Sequence, residues 1–190
     1  MKDNSVIRTE AKSLLKDNWP TMVLISLVFG ICYIFTSKSF PLVVFIYCPL
    51  TLGLAMTMLC LVRRTKKIEV GDIFSAFNST YYWKSLGLGV LMWLYMFLWS
   101  LLLVVPGIVK AFSYFLSPYI LADNPEMSAE EAISRSMQLM EGHKMQLFFM
   151  SLGYLGLTLL SALLLFIPLL WLMPYYNAAY AKFYEEVKNS

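Results

Sequence analysis

Charged residues fall along this chain in clusters, and long apolar runs lie between them. Five stretches contain no Lys, Arg, Asp or Glu: 18–37, 39–62, 85–109, 111–122 and 145–181, with lengths of 20, 24, 25, 12 and 37 residues. About 20 apolar residues carry a helix across a hydrocarbon core of ~30 Å, so each of the first three runs predicts one crossing. The segment from Ile108 to Ala122 reaches about 22 Å as a helix, which makes it either a thin fourth span or a re-entrant segment. The last run would reach about 55 Å as one helix. A hairpin turning near Phe166-Ile167-Pro168 therefore fits it better than a single kinked helix.

Punctuation between the runs agrees with this division. Ser37-Lys38-Ser39-Phe40-Pro41 is a polar turn ending in a proline suited to start the next helix, and Pro106-Gly107 predicts a break after a third span over about 86–105. The expected fold is all-α, a polytopic transmembrane helical bundle of about six spans built as three hairpins. Four or five full spans plus a re-entrant or kinked segment is the second reading. Residues 1–190 form a single integral membrane domain, within which hydropathy suggests helix-plus-hairpin units 1–62, 63–122 and 123–190.

Two polar segments carry a helical apolar stripe. Ile7, Ala11, Leu14 and Leu15 fall at i, i+4, i+7 and i+8, and Ala129, Ala132, Ile133, Met137 and Met140 repeat that geometry behind a Ser128/Glu131 capping box. Both are expected to be cytoplasmic interfacial amphipathic helices, the first lying flat on the inner leaflet. Asp72 to Phe77 resembles a shorter version. Counting cations gives 13 Lys and Arg in 1–17, 63–84, 123–144 and the C-terminal tail, against Lys38 and Lys110 on the other side. The positive-inside rule then places both termini in the cytoplasm. The seven charges before the first apolar run and the absence of a small-residue cleavage site predict a retained span rather than a signal peptide.

Composition sharpens the class. The chain is 59% hydrophobic and 14% charged, against about 45–50% and about 25% in soluble domains. Its net charge of +3 follows insertion rules, so nucleic acid is not an expected partner. Cys32, Cys48 and Cys60 lie inside apolar runs without metal-ligand spacing, and His143 is the single histidine, so no metal site or cofactor is expected. The apolar runs hold no carboxylate, which disfavours a proton-driven carrier. Their small and hydroxylated residues, as in Gly53-x-x-x-Thr57 and Thr158-x-x-x-Ala162, suit helix packing, as does the Tyr176, Tyr180, Tyr184 stripe. No nucleophile motif or phosphate loop stands out, and no enzyme is expected.

Three sets of residues remain as candidates. Pro106, Gly107 and Lys110 mark a pathway or hinge, because an ionisable residue inside an apolar run is a functional candidate, with snorkelling to headgroups as the plainer role. Arg63, Arg64, Lys66 and Lys67 form a candidate contact for anionic lipid, with topology as the plainer role. Ala129, Ile133, Met137 and Met140 form the candidate interfacial helix.

Pro106-Gly107-Ile108, Tyr114, the run Pro118-Tyr119-Ile120-Leu121-Ala122-Asp123-Asn124-Pro125, then Glu131 to Ser136, Met140 and Gly142-His143-Lys144 resemble bacterial integral membrane proteins of domain-of-unknown-function family 975. Arg8, Ala11, Leu14, Leu15 and Asn18-Trp19 at the start are similar too, as are Pro174-Tyr175, Ala179, Phe183-Tyr184 and Glu185-Glu186 at the end. Phe166-Ile167-Pro168 departs from the glycine-rich turn such a protein would carry between its last two spans. The resemblance implies a membrane protein with no established activity, substrate or cofactor. The functional expectation is a non-enzymatic accessory or interaction subunit of the bacterial plasma membrane. Membrane lipids are its expected partners, followed by other membrane proteins or a second copy. The alternatives are a small permease or facilitator for an unidentified solute, and a lipid-binding membrane protein.

Overall fold

The stripe at Ile7, Ala11, Leu14 and Leu15 forms one face of α1 (Asn4–Leu15), whose first N–H is capped by the Asp3 carboxylate at 2.8 Å. All four residues are buried. The computed structural model describes residues 3–16, 18–36, 43–102, 104–163 and 168–189. After α1 come α2 (Trp19–Thr36), a π-helical turn (Val43–Tyr47), α3 (Cys48–Arg63), a 3-10 helix (Val70–Phe77), α4 (Ser79–Leu102), α5 (Val104–Tyr114) and α6 (Ser117–Asp123). The order closes with α7 (Ala129–Leu139), α8 (Lys144–Leu163) and α9 (Leu169–Lys188). The described residues contain nine α-helices and no strand.

Among the described residues, four stretches are long and apolar enough to cross a bilayer: Trp19–Thr36, Val44–Arg63, Ser79–Leu101 and Val105–Asp123. They fall on the first four apolar runs. The remaining run, where two more crossings are expected, is occupied by α8 and α9. Ser151 and Thr158 on α8 meet the hydroxyls of Tyr180 and Tyr176 on α9, each at 3.4 Å, so the two helices run antiparallel. The expected turn at Phe166-Ile167 lies outside the described residues, as does Ser37 to Pro41. Four charges at Lys182, Glu185, Glu186 and Lys188 shorten the apolar part of α9.

The expected break at Pro106-Gly107 is displaced. α5 runs through both residues. Proline is tolerated there because the first turn of a helix has no carbonyl waiting for its N–H. α5 folds back along α4, with Trp99 Nε1 donating to the Tyr114 hydroxyl at 3.1 Å. A further interruption follows at Phe115 and Leu116, with Pro118 in the first turn of α6.

α3 is the central helix. Leu50, Leu52, Met58, Leu59 and Leu61 are buried along it, and it touches α1, α4, α6, α9 and the 3-10 helix. Outward apolar residues such as Ile34, Phe35, Trp93, Phe97, Leu101 and Leu159 are exposed on α2, α4 and α8, the arrangement that a lipid solvent permits. The 3-10 helix seats against α3 at Gly53. A Cβ added there would stand 1.9 Å from the Ile73 carbonyl oxygen, so only glycine allows the two backbones to meet. Within the same helix, the Thr57 hydroxyl donates to the Gly53 carbonyl at 2.8 Å.

Charges tie the helix ends together at one end of the bundle. Asp123, which ends α6, accepts hydrogen bonds from the Arg63 guanidinium on α3, from the Tyr184 hydroxyl at 2.9 Å and from Lys188 Nζ at 2.5 Å, both on α9. Lys182 of α9 reaches Glu10 of α1 at 3.0 Å. The segments 1–17, 63–84, 123–144 and the C-terminal tail are thus brought together by ion pairs.

Gly53→Ala is expected to lower stability by about 1–3 kcal/mol through forced displacement of the 3-10 helix. Gly71→Ala, where an added Cβ meets nothing within 4 Å, should leave the Tm unchanged, and thermal melts of the detergent-solubilised chain compare the two. Asp123→Asn leaves Arg63 and Lys188 without their shared carboxylate. The loss should be about 1–3 kcal/mol, below the roughly 3–5 of a fully buried pair, since 33% of the Arg63 side chain reaches solvent. Glu130→Gln on the exposed face of α7 is the matched control in the same melts.

Candidate functional site

The end of α3 sorts the four clustered cations. Arg64 closes the helix in the left-handed region, at φ 53°, and its N–H donates to the Leu61 carbonyl at 3.3 Å while Thr65 N–H donates to Cys60 at 3.2 Å. Glycine is the usual residue at such a cap because a Cβ there is unfavourable. Arg64 is the one non-glycine residue at positive φ among the described residues. This reversal separates neighbours in sequence: Arg63 binds Asp123 and donates through Nε to Glu185 at 2.7 Å, while Arg64 faces another way.

Lys66 is also partnered, its Nζ lying 2.7 Å from Asp72 Oδ1. Burial alone would raise the Asp72 pKa, but hydrogen bonds from the Glu69 N–H and from Lys66 outweigh it and hold the carboxyl below its ordinary value. Arg64 and Lys67 have no ion pair among the described residues. With Lys66, Asn18, Leu14 and Leu61 they line a cavity of about 180 Å³ where α1, α2 and the end of α3 meet. Among the described residues its charged lining is Arg64, Lys66 and Lys67.

The other two candidate sets come together. Lys110 stands on α5 with Nζ 4.8 Å from the centre of the Trp99 ring and 3.8 Å from the Met137 sulfur of α7. It shares a cavity of about 260 Å³ with Ser113, Gln138, Glu141 and Lys144. The cation count set Lys110 apart from segment 123–144; the folded chain lays its side chain against that segment. Pro106 and Gly107 sit a turn earlier within the same helix, and an added Cβ at Gly107 would touch the Ser100 backbone of α4 at 3.5 Å. Gly107 thus lies where the hairpin packs closely.

α7 begins as its capping box requires, with the Ser128 N–H donating to Glu131 at 2.7 Å and the Glu131 N–H donating to the Ser128 hydroxyl at 3.2 Å. Ile133 and Met140 are buried, and Ala129 and Met137 are half-buried against the same core. The Ser136 hydroxyl donates to the Ser113 carbonyl at 2.7 Å. The stripe read as interfacial is covered by the chain's own α4, α5 and α6, which removes it from a lipid surface. The stripe of α1 is likewise covered, chiefly by α9.

Two features escaped the reading of the residues. Asp123 was legible only as a span exit, since its partners lie about 60 residues away on either side. Arg8 reads as one of the polar-face residues of α1, yet it reaches over Gly153 of α8, donates to the Met150 carbonyl at 3.2 Å and lies 5.0 Å above the Tyr154 ring. Among the described residues, Asn4 Oδ1, Arg8 Nε and the Tyr154 hydroxyl are buried without a hydrogen-bond partner, and all three belong to this junction. A lone arginine preceding an apolar hairpin carries no signal of such a contact.

Comparison with known proteins gives one family. No curated protein matches the chain, and no solved structure does. A family model described as "Protein of unknown function (DUF975)" matches residues 1–113 and 101–190. The chain therefore belongs to the DUF975 family of proteins of unknown function.

Proposed function

We propose that this protein is a non-enzymatic, multi-pass protein of the bacterial plasma membrane that holds an anionic lipid headgroup at the cavity formed by Arg64, Lys66 and Lys67. The observation that carries the reading is Arg64. A side chain in the left-handed region costs roughly 1–2 kcal/mol that glycine would avoid, and strain of this kind concentrates at sites with a use for it. Here the strained residue directs a cation into a cavity that also holds Lys67, while Lys66 on the same wall is paired with Asp72 and Arg63 is neutralised away from it.

The charged end faces the cytoplasm in this reading, since it gathers the Lys- and Arg-rich segments and the cytoplasmic leaflet carries anionic lipid. An accessory role follows from holding lipid at this end, with neighbouring membrane proteins meeting the outward apolar faces of α2 and α4. The burial of Ile133 speaks against α7 as the docking element for such neighbours.

Each cation beside an anionic headgroup contributes about 1 kcal/mol. The pair Arg64→Gln, Lys67→Gln is therefore expected to weaken retention of phosphatidylglycerol roughly thirtyfold, measured by mass spectrometry of lipid carried through detergent purification at low salt. Arg64→Gly separates function from folding: it should weaken retention while holding or raising the Tm, because the strained cap is relieved. Retention unchanged in both variants would remove the proposal.

A further inference from the structure

The geometry points to a second and chemically different site, a pocket for a compact zwitterion between α5 and the corner joining α7 to α8. Its walls carry two cations and one carboxylate, Lys110, Lys144 and Glu141, around a cavity of about 260 Å³. None of the three has an ion-pair partner among the described residues. Gly142, in the left-handed region at φ 82°, turns the chain so that Glu141 before it and Lys144 after it line the same cavity. An L side chain at that φ would be strained, so the corner rests on glycine.

The donors and acceptors divide by charge. Lys110 Nζ is set over the Trp99 ring and, among the described residues, has only the weak Met137 sulfur as acceptor, which leaves its strong hydrogen bonds to a ligand. The Gln138 Oε1 accepts from Arg135 at 3.3 Å, which leaves the Gln138 amide NH₂ to donate. With Lys144, the first residue of α8 and so at the positive end of that helix, these groups suit an anionic group. Ser113 behaves in the opposite way. Its proton is committed to the Val109 carbonyl at 3.0 Å, so its oxygen can only accept, as can the Glu141 carboxylate. Those two suit an ammonium.

A plain anion would leave Glu141 repelled and a plain cation would face two lysines. A molecule with a phosphate or carboxylate beside a primary ammonium uses every wall. Two sources supply that chemistry, the headgroup of phosphatidylethanolamine and a free amino-acid-like solute. Among the described residues, the Arg64 and Lys67 cavity shares no lining residue with this one.

The test uses the full chain purified from vesicles containing equal phosphatidylethanolamine, phosphatidylcholine and phosphatidylglycerol, with retained lipid quantified by mass spectrometry. Equilibrium dialysis against O-phosphoethanolamine runs in parallel. Phosphatidylethanolamine should be retained about tenfold over phosphatidylcholine, whose trimethylated ammonium cannot donate to Glu141, the factor expected of one charge-assisted hydrogen bond. Glu141→Gln should abolish that preference, and Lys110→Met, which removes a contact to the phosphate that both lipids share, should lower the retention of both. Lipid that O-phosphoethanolamine does not displace assigns the site to the headgroup, and dialysis binding without lipid retention assigns it to a free solute. Both support the zwitterion pocket. Equal retention of the two lipids together with no dialysis binding overturns it, as does wild-type behaviour of both variants. Arg64→Gly keeps the phosphatidylethanolamine preference whether or not the anionic-lipid reading stands.

Discussion

The carboxylate of Asp123 joins the ends of three helices, accepting from Arg63, Tyr184 and Lys188 while only 6% of its side chain is exposed. Between lipid-embedded helices, apolar side chains find lipid as good a neighbour as protein, so hydrophobic burial does not decide which helices associate. Close backbone contacts and polar ties decide it. Gly53 sets the first kind, by admitting the Ile73 carbonyl against α3. Asp123 sets the second, by fixing the lower ends of α3, α6 and α9 relative to one another. With those ends held, α3 becomes the helix on which the others lean.

The periodic signals were legible and their destinations were not. The Ile7, Ala11, Leu14, Leu15 stripe and the Ser128/Glu131 cap can be read directly from spacing, because both depend on residues within one or two turns. A stripe states which face avoids water, and says nothing of whether lipid or protein covers it. The same limit applies to Pro106: proline identifies the neighbourhood of a helix boundary, yet it is accommodated inside the first turn, so α5 runs through it. The four apolar stretches were visible because length and composition alone define them.

Chemistry was legible to the extent that it is local. The cluster Arg63, Arg64, Lys66, Lys67 is one patch in sequence, and the left-handed turn at Arg64 sends Arg63 to Asp123 and Arg64 into the cavity, while Lys66 pairs with Asp72. No composition argument distinguishes Arg63 from Arg64. Lys110 presents the complementary case: a solitary charge in an apolar run was a visible candidate, while its company, Glu141 and Lys144, depends on how α7 folds back against α5.

α1 shows how closely lipid surface and protein core compete. Burying Ile7, Leu14 and Leu15 contributes about 1.5–3 kcal/mol each relative to water, but a leaflet would supply much of the same gain. The difference must then come from contacts lipid cannot make. Asn4 donates to the Gln146 carbonyl at 3.0 Å, Arg8 donates to Met150 over Gly153 and stacks on Tyr154, and Glu10 pairs with Lys182. These lie along α1 at positions 4, 8 and 10, on the flank of the buried stripe, and they link it to both α8 and α9. The orphaned Arg8 Nε and Tyr154 hydroxyl weaken that hold, since each unmade buried hydrogen bond costs about 1–3 kcal/mol. α1 is therefore retained by a small surplus of polar contacts and not by its apolar face.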